Sequence, residues 1–134
     1  EQSKRWKRNE GDELLILALR NNGFEINQTA AELNMHRNTI TARFKGICFD
    51  LLVKNQIDLG KAAREISGEE LNHSTVHQMI AEYHNNLVKT VSEFGTFDEA
   101  IQAALKRNKN VPAQYHTAIK ELVRCCYVNK ESRE

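Results

Sequence analysis

The sequence predicts an all-α fold, in which a three-helix unit with a helix-turn-helix is extended by three to four further helices into a compact orthogonal bundle. A single proline and six glycines among 134 residues favour helices over strands and loops. Apolar residues recur at the helical spacing i, i+4, i+7 through most of the chain. Two such stripes lie so close together, within residues 26–45, that only a short turn fits between their helices.

The first predicted helix runs from Glu10 to Asn22 and contains the segment LLILAL. Gly23 suits the position just after its last turn. The helix is apolar on nearly every side, so it should be buried on more than one face and should support the two helices that follow. Alternatively, its excess apolar surface is the interface of a homodimer.

The next two helices form the predicted helix-turn-helix. Ile26, Ala30 and Leu33 place one apolar stripe on the first of them. Asn34 tolerates the left-handed backbone conformation that a tight turn needs. The second helix should run from Arg37 to about Lys54, with Ile40 at the start of its own apolar stripe.

The side of this second helix opposite Ile40 is short, polar and basic. At about 100° per residue it presents Asn38, Thr41, Ala42 and Lys45, with Arg37 and Arg43 on its flanks. Such side chains can pair with base edges and phosphates while the apolar stripe stays buried. Net charge over the whole chain is only +1, so DNA binding would have to depend on this local cluster.

The run AAELNMHRNTITARFKGI, residues 30–47, resembles the C-terminal DNA-binding module of bacterial transcription regulators. It is similar to the Fis-type module of sigma-54-dependent (enhancer-binding) activators and to the module of sugar-diacid and purine-catabolism regulators. The resemblance covers roughly residues 12–54. It implies sequence-specific binding of double-stranded DNA and a homodimer. The unpaired cysteines and the lack of a visible signal peptide indicate a cytoplasmic protein. Because the sequence opens on Glu1 without a methionine, we expect a fragment of a longer protein, whose upstream domains would contact RNA polymerase.

Roles in DNA binding can be assigned to individual residues of this unit. Arg37, Asn38, Thr41 and Lys45 would read bases, because arginine or lysine suits guanine and asparagine suits adenine. Phosphates would be held by Gln28 and Thr29, at the start of the first motif helix, and by Arg43. The alternative function is a helical protein-interaction or dimerisation module that keeps the shape of a helix-turn-helix without reading DNA.

Residues 57–91 look like a faint second copy of the motif. Ile57, Ala62-Ala63 and Ile66 match Ile26, Ala30-Ala31 and Leu33. The helix that follows has no lysine or arginine before Lys89, so we expect a packing or partner-binding element rather than a second DNA reader. Phe49 lies opposite Ile40, which requires the C-terminal half of the chain to cover that side of its helix.

The domain division that follows is a basic arm at 1–9, the DNA-binding unit at 10–54, a helical extension at 55–128 and a charged tail at 129–134. No enzymatic motif, cofactor site or membrane span is predicted. His73, His77 and His84 share an edge of one helix but lack a further ligand, so no metal site is predicted. Cys48, Cys125 and Cys126 fit unpaired thiols in a reducing compartment.

Overall fold

A computed structural model describes residues 8–68 and 73–133, with side chains described over 13–68 and 74–128. The described residues form seven α-helices. These are α1 (Arg8–Asn21), α2 (Ile26–Leu33), α3 (Arg37–Lys54), α4 (Leu59–Ser67), α5 (His73–Glu93), α6 (Phe97–Arg107) and α7 (His116–Arg133), with a 3-10 turn at Ala113–Tyr115 before the last. The all-helical prediction is confirmed. Most of the basic arm, residues 69–72, and the side chains of His73 and of the charged tail lie outside the described residues.

The α2–turn–α3 element has the bounds that its local sequence predicts. Glu25 caps α2, its carboxylate accepting a hydrogen bond from the backbone N–H of Gln28 at 3.3 Å. Asn34 ends α2 in the left-handed conformation, with φ 55° and ψ 47°. Only Asn34, Met35 and His36 separate the two helices. His36 then caps α3, because its Nδ1 accepts a hydrogen bond from the N–H of Asn38 at 3.0 Å.

The helix α3 is central to the bundle, since it contacts α1, α2, α4, α5 and α7. Its middle is buried on all sides: Phe44, Cys48, Phe49 and Leu52 are each 1% exposed or less. Tyr83 of α5 packs edge-on against Phe49, with 6.5 Å between the ring centroids. The expectation that later helices cover the Phe49 side of α3 is therefore confirmed.

The turn after α1 and the turn after α3, which we call the two corners, have equivalent hydrogen bonds. The equivalent residues are 33 positions apart in the chain. After α1, the side-chain amide of Asn22 donates to the backbone carbonyl of Ala18 and to the carboxylate of Glu32, both at 2.8 Å. After α3, the amide of Asn55 donates to the backbone oxygen of Leu51 at 2.9 Å and to the carboxylate of Glu65 at 3.1 Å. The similarity predicted between residues 57–91 and the first motif therefore includes the hydrogen bonds of the corner that precedes each copy.

The backbone of the two corners also agrees, and it corrects the alignment predicted from sequence. Phe24 N–H donates to Leu19 O at 2.7 Å, and Ile57 N–H donates to Leu52 O at 2.6 Å. Glu25 corresponds to Asp58, which caps α4. On this alignment Ile57 matches Phe24, not Ile26 as the sequence suggested.

The helix α1 differs from its prediction because only one of its faces is buried in the chain. Leu15, Ala18 and Leu19 are buried, whereas Leu14 is 65% and Leu17 is 51% exposed. At its end, Arg20 fastens α1 to α4: its Nε donates to the carbonyl of Ile66 at 2.7 Å.

Candidate nucleic-acid interface

The first turn of α3 is exposed, although the middle of the helix is buried. Arg37, Asn38 and Thr39 are exposed, and Thr41 is half-buried. We call these four residues the α3 end. Their backbone is fixed by the His36 cap on one side and by Ile40, which is fully buried, on the other. Two of the predicted reading residues, Arg37 and Asn38, therefore project from a rigid support, and the third, Thr41, is partly accessible beside them.

A turn from the C-terminal half of the chain lies along α3, a feature that the sequence did not predict. Asn110 and Pro112 of this turn, residues 108–112, line a depression of about 350 Å³ together with Asn38, Thr39, Ala42 and Arg43 of α3. Ala42 is only 8% exposed. The 108–112 turn therefore borders the polar side of α3 and limits access to it.

Lys45 is held at the border between α3 and the 108–112 turn. Its Nζ lies 3.5 Å from the amide oxygen of Asn108 and 5.6 Å from the centroid of the Tyr83 ring. A cation within about 6 Å of an aromatic face is attracted to it. Lys45 is half-buried, so its charge reaches the surface beside the turn rather than at the α3 end.

The phosphate contacts predicted at the start of α2 need a correction. Thr29 has no exposed surface, and its hydroxyl donates to the carbonyl of Glu25 at 2.9 Å. Its side chain therefore cannot contact a phosphate, and the prediction for Thr29 is wrong. Gln28 is exposed, but the Glu25 carboxylate already occupies the N-terminus of α2 and would repel an incoming anion. Arg43 is half-buried on the flank of α3.

His36 and Asn110 belong to the exposed surface around the α3 end and were missed by sequence reasoning. Because Nδ1 of His36 accepts the capping hydrogen bond, Nε2 carries the ring proton and can donate outward from an exposed side chain. The histidine just before a predicted helix start was a signal for this cap. Asn110 had no such signal, since its position beside α3 depends entirely on tertiary packing.

The titratable groups with shifted pKa values near α3 are uncharged at neutral pH. Burial raises the pKa of the Cys48 thiol well above its usual value. The pKa of the Tyr83 hydroxyl is also raised, first by burial and then by Cys48 and Glu82. Burial lowers the pKa of His84, whose Nε2 is buried without a hydrogen-bond partner among the described residues. None of these three groups therefore adds a charge to the surface at neutral pH.

The remaining predicted site classes can be compared with the described part of the chain. There, no three histidine, cysteine or acidic side chains lie close enough together to hold a metal ion. None of the described helices is long and apolar enough to cross a membrane. Cys125 and Cys126 are half-buried free thiols, and burial followed by the charge of Cys125 raises the pKa of Cys126 to about 11.

Comparison of the chain with protein-family models, with curated protein sequences and with solved structures returned no significant match.

Proposed function

We propose that this chain binds double-stranded DNA in a sequence-specific manner by inserting the α3 end into the major groove. The observation that carries the proposal is the exposure of Arg37, Asn38 and Thr39 at the N-terminal tip of a helix whose middle is buried in the bundle. Arginine pairs with guanine and asparagine with adenine at the groove edge, and each good pair discriminates by about 1–3 kcal/mol. Residues at the N-terminus of a recognition helix make such contacts in known helix-turn-helix proteins.

The 108–112 turn determines how α3 could enter the groove. The major groove is about 12 Å wide, and a helix with its side chains is about 10–12 Å in diameter. No room is left for the 108–112 turn beside α3. The helix should therefore enter with its N-terminal end first, so that Arg37 and Asn38 reach the bases while Asn110 stays at the groove edge.

The N-terminus of α3 also favours binding to phosphate, whatever the base sequence of the DNA. Unpaired backbone N–H groups and the helix dipole attract phosphate oxygens. Here the cap is a histidine ring nitrogen, whereas α2 and α4 are capped by the carboxylates of Glu25 and Asp58. Among these three N-termini, only that of α3 has a cap that does not repel an anion.

The experiment is selection of binding sites from random duplexes, followed by titration of the best site with wild type and variants. Arg37→Ala should weaken specific binding by about 1–3 kcal/mol and relax the preference at one base pair. Arg64→Ala is the matched control, because Arg64 is an exposed arginine on α4. Equal affinities of the two variants would reject base reading by Arg37, and absence of salt-dependent binding to any duplex would reject the function itself.

The wider assignment rests on the resemblance at residues 30–47. In that assignment the chain is the DNA-binding domain of a cytoplasmic bacterial transcription regulator, and contact with RNA polymerase would involve other domains. One α3 end reads only a few base pairs. Useful specificity then needs two half-sites about one helical turn apart, and hence a homodimer.

A second candidate function, a helical module that binds another protein or a second copy of itself, is favoured by one observation. Leu14 and Leu17 of α1 are both more than half exposed. They lie three positions apart and so share one side of the helix. This surface is separate from the α3 end, so association through it and DNA binding can occur in the same molecule.

A further inference from the structure

The basic segment at the end of α6 contributes to the same surface as α3. In sequence, Lys106-Arg107-Asn108-Lys109 resembles a solvated helix end. In the structure, Asn108 is within 3.5 Å of Lys45 of α3, and Asn110 lines a depression together with Asn38. The segment therefore continues the polar surface that begins at the α3 end.

A second depression also borders the 108–112 turn, at Asn108. It has a volume of about 300 Å³ and is formed by α3, α5 and α6. Three cations line it, Lys45, Lys89 and Arg107, together with a single carboxylate, that of Glu93. Arg107 pairs with this carboxylate at 2.8 Å and also donates to the hydroxyl of Thr90 at 3.0 Å. The positive charge of Lys45 and Lys89 is left uncompensated within the depression.

These cations come from α3, α5 and the end of α6, and Lys109 of the adjoining 108–112 turn adds a fourth. We call Lys45, Lys89, Arg107 and Lys109 the basic strip. Lys45 and Arg107 are held by neighbouring side chains, which lowers the entropy lost when they bind an anion. Lys89 and Lys109 are exposed, and no described residue forms an ion pair with either.

The shape of the strip fits a polyanion better than a small anion. Lys45, Lys89 and Arg107 line one depression, whereas Lys109 does not line it and lies in the 108–112 turn, so a small anion in the depression would leave Lys109 unused. A nucleic-acid duplex presents one charge per about 1.7 Å of its axis, so several cations can be engaged at once. Uncharged donors also line the two depressions, among them Asn86, Asn108 and Asn110, and amides are common phosphate ligands.

We infer that the basic strip binds the sugar–phosphate backbone of the duplex whose major groove receives the α3 end. This inference rests on the proposed function and extends it. The strip would supply affinity without base preference, and the α3 end would supply the preference. Contacts from the C-terminal half would then fix the angle at which α3 enters the groove.

The test compares two double variants that change the net charge equally. Lys89→Ala with Lys109→Ala removes two cations of the basic strip. Lys61→Ala with Lys120→Ala is the control, because these exposed lysines of α4 and α7 lie outside both depressions and outside the 108–112 turn, to which Lys109 belongs. Binding is measured with a random pool of duplexes of about two helical turns and with the selected site, between about 50 and 200 mM salt.

The strip variant should lose roughly tenfold in affinity per lysine at about 0.1 M salt, and its slope of log K against log salt should be shallower by about 1.8. The loss should be equal for the random pool and the selected site, and the control should stay close to wild type. Thermal unfolding followed by circular dichroism checks that both variants fold.

Each alternative outcome separates this inference from the proposed function. If wild type binds DNA and Arg37→Ala weakens it while the strip variant matches the control, the basic strip is wrong and the function of the α3 end stands. If the strip variant loses affinity for single-stranded RNA more than for any duplex, the duplex backbone is the wrong partner. If wild type binds no nucleic acid, both proposals fall together.

Discussion

The ring of Tyr115 packs directly against the backbone of α3 at Gly46. A Cβ atom added to Gly46 would lie 2.1 Å from Cδ2 and 2.6 Å from Cγ of the Tyr115 ring. Tyr115 is completely buried, so the ring has no space into which to move. The absence of a side chain at Gly46 therefore lets the 3-10 turn before α7 pack directly on α3.

We expect Gly46→Ala to destabilise the fold by about 1–3 kcal/mol, because overpacking costs more than the gain in helix propensity. Gly60→Ala in α4 is the matched control, since the nearest atom to its added Cβ is 3.5 Å away. That variant should be more stable than wild type by about 0.5–1 kcal/mol. Urea unfolding of both variants gives the comparison, and a Gly46→Ala protein as stable as wild type would contradict this packing.

The error at Thr29 shows what a helical wheel leaves out. The buried polar residues of the described part, Thr29, Ser67 and Thr90, each donate their hydroxyl to the carbonyl four positions earlier, at 2.9–3.0 Å. A hydroxyl that is satisfied within its own helix can be buried at little cost. A polar residue type on a predicted helix therefore does not identify a surface position.

At the scale of the elements, the two corners differ in the strain of their backbones. Each corner has two successive residues with positive φ: Gly23 (63°) and Phe24 (63°) after α1, and Gln56 (57°) and Ile57 (62°) after α3. Left-handed backbone costs a residue with a side chain about 1–2 kcal/mol. Gly23 spares the first corner this cost at one of its two positions, whereas the second corner has a residue with a side chain at both.

Exchanging these residues tests whether the corners are equivalent. Gln56→Gly should stabilise the protein by about 0.5–1 kcal/mol, because relief of backbone strain exceeds the entropy that glycine adds to the unfolded chain. Gly23→Gln should destabilise it by a similar amount, and the double variant should be near wild type. Thermal or urea unfolding measures all three. Effects of the same sign at the two positions would show that the corners are not alike.

How far elements could be predicted depended on how local their determinants are. The bounds of α2 and α3 follow from nearby caps and apolar spacing, so the sequence was sufficient. The predicted alignment of the repeat was correct at Ile66 and Leu33, but it misplaced Ile57 by two positions and the alanine pair by one. The corner itself, Asn22 to Ile26 and Asn55 to Leu59, holds the repeated hydrogen bonds and would have given the correct spacing.

At the scale of the whole molecule, the exposed leucines of α1 raise the question of association. We expect wild type to self-associate in about 1 M salt, where the Debye length of about 3 Å screens charge contacts. Leu14→Ser with Leu17→Ser should remain monomeric. Val88→Ser is the control, because Val88 is an exposed apolar residue on α5. Sedimentation velocity measures the masses, and a monomeric wild type would exclude a dimer formed by α1.

The candidate site could be predicted only in part, because it combines local and distant residues. Arg37 and Asn38 follow from one helix and its apolar stripe. The neighbourhood of Lys45 and Asn108 does not, since they are 63 positions apart in the chain and meet only through the packing of α3, α5, α6 and α7. Periodicity showed that Phe49 needed a cover, but not which segment would provide it.

The repeated corners give α3 two places in the architecture, because it ends the unit α1–α2–α3 and begins the unit α3–α4–α5. The orientation of α3 about its own axis therefore sets how α1 and α2 are placed relative to the helices that follow α3. One inserted residue within α3 would turn the downstream helices by about 100° and shift them by about 1.5 Å. The proposed contacts of Arg37 and Lys89 with one duplex would then be incompatible, so the length of α3 should tolerate far less variation than its sequence.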